Sequence, residues 1–236
     1  MRLLVEFLVR FGFGMATGLV LTPATIVPGG FYRVNLLVVL GLATFAALLG
    51  HSAGTAGWLP TAVAAGVAWV GSVAWLGEKR RAGLLACAVC AVLLAGATVL
   101  LDGPARAGVS LLSGLVTGLT VHAMLLGHWY LNAPGMRVDA LRRAIDVALA
   151  AWGLRLVVEV AAVTGGTSLP GATDVTTSAL VSLRWLAGLV GLPVLLVMAR
   201  KTLDIPNTQS ATGILYVACL AAILGELTAQ LLGAAG

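Results

Sequence analysis

Residues 79–103 read KRRAGLLACAVCAVLLAGATVLLDG. Three cations lead into Gly83–Leu101, a run without a single charge, which ends at a polar Asp-Gly break. An apolar run of about 20 residues is the length of helix that crosses the hydrocarbon core of a bilayer. The flanking cations are the kind of residue that fixes which way such a helix is threaded. The whole chain follows this pattern, and the bilayer is its solvent.

Composition agrees. Of 236 residues, 60% are hydrophobic and 10% are charged, and the mean hydropathy is +1.04. A soluble domain carries about 25% charged residues. The net charge of +5 does not point to nucleic acid. Most cations lie in short loops between apolar runs, with no basic stripe interleaved with aromatics to track a phosphate backbone. The opening MRLLVEFLVRFGFG reads as part of a first membrane helix. Glu6 and Arg10 interrupt the apolar core a signal peptide needs. Cys87, Cys90 and Cys219 all fall inside apolar runs, which supplies no disulfide framework.

Eight apolar segments emerge: Leu3–Thr22, Val34–Gly50, Ala56–Leu76, Gly83–Leu101, Gly108–Leu131, Ala144–Thr164, Ala179–Ala199 and Thr212–Leu232. Turn formers separate them, among them Pro28-Gly29-Gly30, Asp102-Gly103-Pro104, Asn132-Ala133-Pro134-Gly135 and Gly165-Gly166. The loops after the odd-numbered segments hold Arg33; Lys79, Arg80 and Arg81; Arg137, Arg142 and Arg143; and Arg200 with Lys201. The opposite side holds Arg2 and Arg106. Nine cations against two places the four basic loops in the cytoplasm by the positive-inside rule. The expected fold is an all-α integral membrane protein: one polytopic domain over residues 1–236, a bundle of about eight transmembrane helices with both termini outside. In a prokaryote, the membrane would be the cytoplasmic or inner one.

Pro28-Gly29 precedes Arg33-Val34-Asn35, and Pro134-Gly135 precedes Arg137-Val138-Asp139. This weak echo suggests a parallel duplication of four-helix halves, about 1–104 and 105–236, of a kind found in some transporters. Gly12, Gly14 and Gly18 on the first helix, and Gly114 with Gly118 on the fifth, form small-residue faces. Such faces allow close backbone approach, and here they are expected to pack helices within one chain.

Ionisable groups in hydrocarbon cost at least about 2.5–3.5 kcal/mol, so they face the bundle interior and a partner. Arg155 and Glu159 share a helix face, as do Glu6 and Arg10 nearer the outer surface. Rise per residue puts Glu159 and Arg184 ~8 Å, and Glu226 ~9 Å, inside the outer ends of their helices. Arg155, Glu159, Arg184 and Glu226 are therefore expected to form one intramembrane charge network, either a structural brace or an outward-facing polar path.

The histidines raise haem b, which needs axial ligands that meet at one iron. His51 lies at an outer end, and His122 lies ~21 Å along the fifth helix, so these two do not meet. His122 and His128 point about 120° apart on one helix. Met15 lies at roughly the depth of His122, which leaves only a His/Met ligation. Cys87 and Cys90 form a CxxC on one helix face, which raises a membrane thiol–quinone oxidoreductase.

Polar residues also gather at the expected cytoplasmic ends. Tyr32 and Arg33 follow the first helix. His128, Trp129, Tyr130 and Asn132 close the fifth. Thr208 and Gln209 open the eighth, with Tyr216 further along. With His122 behind them, these residues offer a cation, aromatic faces and hydrogen bonders. That chemistry suits a quinone, a lipid headgroup or a partner subunit. No Walker loop, HExxH or GxSxG is present. The leading expectation is a non-catalytic membrane subunit of a redox or respiratory electron-transport assembly, with other membrane or cytoplasmic subunits as partners and no nucleic acid. The alternative is a proton-coupled secondary transporter working through the intramembrane Arg and Glu residues.

Overall fold

The computed structural model describes residues 1–133, 135–164, 175–205 and 207–235. Pro134 and Gly165-Gly166, two of the expected turn formers, lie outside the described residues. Every regular element among the described residues is helical: α1 (Arg2–Leu21), α2 (Gly29–Ser52), α3 (Trp58–Leu76), α4 (Arg80–Asp102), α5 (Pro104–Asn132), α6 (Asp139–Thr164), α7 (Val175–Thr202) and α8 (Thr208–Ala235). Seven of them are long and apolar enough to cross a membrane; the remaining long helix, α6, carries the interruptions Arg142, Arg143, Asp146, Arg155 and Glu159. The chain is a multi-pass, all-helical membrane protein.

Helix ends follow local chemistry. Pro28 is the N-cap of α2, so Gly29 to Arg33 form its opening turns and not a loop. Burial of Phe31 and Tyr32 outweighs the poor helix propensity of two glycines. Gly103 turns the chain at φ 76°, a conformation that suits glycine. Pro104 then starts α5 at the first helical position, where its missing N–H costs nothing. Asn207 Oδ1 accepts the Ser210 N–H at 3.0 Å and so caps α8.

Helices α1–α4 pack in a ring, each on its chain neighbour and α4 back on α1. Helices α5–α8 form a second ring in the same way, and α1 packs along α5 to join the two. The equivalence has limits. Arg33 lies inside α2, whereas Arg137 precedes α6. Helix α7 is α-helical over Val175–Leu183, π-helical over Arg184–Gly191 and α-helical again over Leu192–Thr202.

The joint between rings depends on glycine. A methyl group on Gly14 would stand 2.8 Å from Gly118 Cα, and one on Gly118 would stand 2.5 Å from Met15 N. The two small-residue faces meet each other within the chain, with backbone against backbone. One turn further, a Gly18 methyl would lie 2.6 Å from the His122 ring.

Candidate functional site

At the end of the bundle that carries both termini, α1, α5, α6, α7, α8 and the last residue of α4 surround an open cavity of about 550 Å3. Its lining includes five guanidinium groups (Arg2, Arg10, Arg106, Arg155, Arg184) and four carboxylates (Glu6, Asp102, Glu159, Glu226). The deepest charges are Arg10, Arg155, Arg184 and Glu226. They sit eight or nine residues from their helix ends, ~12–14 Å along the axis, close to half the ~30 Å hydrocarbon thickness.

The charges form one alternating chain. Arg2 Nε pairs with Glu6 at 2.8 Å, and Glu6 lies 3.5 Å from Arg10. Arg10 forks onto both oxygens of Asp102, at 2.9 and 3.2 Å. Its Nη1 reaches Glu226 at 3.2 Å. The other oxygen of Glu226 takes Arg155 Nη1, also at 3.2 Å. Arg155 donates further to Ser113 Oγ and faces Glu159 at 3.6 Å. Glu159 in turn holds Arg184. Gln230, one turn beyond Glu226, donates to it at 2.9 Å. Glu226 is 3% exposed and is the joint of the chain, bonded to cations from α1 and α6 at once.

The structure joins Arg155, Glu159, Arg184 and Glu226, three of them expected from depth and Arg155 from its spacing to Glu159. It adds Glu6, Arg10, Asp102, Ser113 and Gln230. A depth estimate from the start of α1 would have placed Arg10 beside Glu226. Asp102 gave no such signal, because its partner depends on α4 packing against α1, and in the sequence it reads as a turn former.

The residues expected at the opposite rim separate into smaller groupings. Tyr32 is buried, stacks on Trp75 with centroids 4.3 Å apart, and donates its hydroxyl to the Thr22 carbonyl at 2.7 Å. Tyr130 donates to the Arg137 carbonyl. Trp129 meets Phe31 edge to face. His128 Nδ1 and Tyr216 Oη are 3.0 Å apart, Asn132 bonds back to the His128 carbonyl at 3.4 Å, and the Thr208 carbonyl accepts from Thr212 at 2.7 Å. Arg33 and Gln209 are exposed. The hydroxyls of Tyr32 and Tyr130, which a quinone or headgroup would need, are already taken by backbone carbonyls.

His122 is enclosed. Its Nε2 lies 2.7 Å from Thr22 Oγ1, and that hydroxyl donates to the Gly18 carbonyl at 2.8 Å. With the hydroxyl proton so used, Nε2 carries the ring proton and Nδ1 is the acceptor, left without a partner. Among the described residues no group of three or more His, Cys, Asp and Glu side chains could hold a metal ion. Cys87 and Cys90 are buried free thiols, and Cys90 lies 3.5 Å from the Ala64 carbonyl. Reactive thiols need exposure and an electropositive setting.

The chain matches no protein-family model, no curated protein and no solved structure, and the functional reading rests on the site's own geometry.

Proposed function

We propose that the chain is a secondary transporter of small polar solutes, with eight membrane-spanning helices, both termini outside and the charged cavity as its outward-facing substrate site. One observation carries this reading: nine ionisable groups line an open volume of about 550 Å3. A brace whose only task is to hold helices in register would close around its ion pairs, since charges out of water need tight, fully bonded geometry. Here the pairs border open space that reaches towards the middle of the bundle. Transporters place substrate and coupling-ion sites at that depth, at the junction between halves.

The wall formed by α7 supports the reading. Its π-helical turn starts at the cavity residue Arg184, and π-turns within helices are frequent at functional sites. No residue of Val175–Leu183 or Arg184–Gly191 is buried. This stretch leans on α8 and is tied to α6 through Arg184–Glu159 and Trp152 Nε1 to the Gly188 carbonyl at 3.2 Å. Glu159 and Glu226 are the carboxylates available to carry a coupled proton.

Reconstitution in liposomes with an internal pH dye tests the reading. Small hydrophilic solutes supplied outside should enter with a proton gradient, and Glu226→Gln or Glu159→Gln should reduce gradient-driven uptake, as expected for loss of an intramembrane coupling group. Folded protein that passes none of these solutes under a gradient would remove the proposal. A second reading, a membrane subunit of a larger assembly, draws on the same unburied face of α7, which would seat a partner helix. Its mark would be a stoichiometric second chain after purification in mild detergent.

A further inference from the structure

We infer that the charged cavity takes a small carboxylate bearing a hydroxyl or amino group beside the acid function, bound through Arg106, Arg155, Arg184 and Gln230. This rests on the proposal that the cavity is a solute site and names the class of solute.

The cavity carries one more guanidinium than carboxylate, five against four, so its field favours an anion. The internal pairs also leave donors over. Arg155 uses Nη1 for Ser113 and Glu226, and its Nε stands 3.6 Å from Glu159. Arg184 reaches Glu159 through Nη2 alone. The Arg106 side chain is exposed at the mouth, and its guanidinium has no hydrogen bond or ion pair among the described residues. The remaining N–H groups belong to planar forks, which match the two oxygens of a carboxylate.

Gln230 identifies the second feature of the solute. It is 8% exposed, lines the cavity and donates Nε2 to Glu226 Oε1 at 2.9 Å. That bond fixes the amide's orientation, because a carboxylate rejects the amide oxygen. Oε1 is left as a buried acceptor without a donor. Oε1 has almost no accessible surface, so a turn of the side chain towards the cavity would bring it to a hydroxyl or amino group next to the ligand's carboxylate; acetate offers neither group.

Glu226 competes with the ligand, since it occupies Arg10 and Arg155 from inside the protein. Neutralising it raises the cavity's net charge from one to two and releases one of the two guanidinium groups, since the glutamine amide oxygen accepts from the other. Glu226→Gln should therefore bind the anion more tightly, whereas in a purely structural brace the substitution would have no such effect. Arg106→Gln should weaken binding, and as an exposed, unpaired position it leaves the fold intact.

The test uses the full chain in detergent and isothermal titration with lactate, glycine and acetate. Lactate or glycine should bind up to about tenfold tighter than acetate, the worth of one added hydrogen bond. Arg106→Gln should weaken that binding severalfold, and Glu226→Gln should strengthen it. The inference is overturned if neither lactate nor glycine binds, if acetate binds as tightly as both, or if Arg106→Gln changes nothing. Acid binding without gradient-driven flux would uphold the site and remove the transport reading. Flux of uncharged solutes without acid binding would do the reverse.

Discussion

Replacing Glu226 by alanine should destabilise the folded protein by roughly 3–5 kcal/mol, the usual result of leaving a buried charge without its partner. Arg10 and Arg155 come from α1 and α6, one from each ring of helices, and both point at Glu226, 3.2 Å away on either side. Without the carboxylate, two guanidinium groups face each other across the space it filled. For a chain of this size each kcal/mol moves the thermal midpoint about 2–4 °C, so a drop of roughly 6–20 °C in detergent is expected. Glu226→Gln should cost much less, because the amide oxygen still accepts from one arginine. A midpoint for Glu226→Ala within a degree or two of the unsubstituted protein would mean that the ion chain does not tie the rings together.

Gly118→Ala should cost roughly 3 kcal/mol or more, the upper range for overpacking, although it adds one methyl group. The new Cβ would stand 2.5 Å from Met15 N. Backbone cannot rotate away as a side chain can, so α1 and α5 would have to separate along their whole crossing. The same change at Gly96, where nothing lies within 4 Å of the new Cβ, should be neutral or gain up to about 1 kcal/mol from helix propensity. Thermal midpoints of the two variants would check the contrast. Equal midpoints would contradict the glycine-mediated joint.

Much of this architecture is legible in the amino-acid sequence. Apolar run length marks the helices, because only an uninterrupted backbone hydrogen-bond ladder crosses hydrocarbon. Gly14, Gly114 and Gly118 announce a close crossing, and the depth of Glu159, Arg184 and Glu226 announces a shared layer. Partner choice is where legibility ends. Arg10 and Asp102 are 92 residues apart in the chain and meet only because α4 folds back on α1. The π-helical turn of α7 is likewise invisible, since after Arg184 its residues are as apolar as those of any spanning helix. At the opposite rim, Tyr32 and Tyr130 look free in sequence because backbone acceptors leave no mark in residue identity. Their hydroxyls close onto the carbonyls of Thr22 and Arg137. The cavity volume, which turns a row of charges into a candidate site, exists only in three dimensions.

Transport through this site requires above all that the cavity be filled with water and open to the outside. Ala229 lines it, whereas Leu231, two residues along α8, is exposed on the bundle's outer surface. The direct measurement is labelling of A229C and L231C in intact cells by a membrane-impermeant, charged thiol reagent. The native cysteines are buried and give little background. An outward-facing, water-filled cavity predicts labelling of A229C from outside and none of L231C, whose thiol lies in lipid and does not ionise. Protection of both positions, or labelling of A229C only after the inner face is exposed, would contradict it.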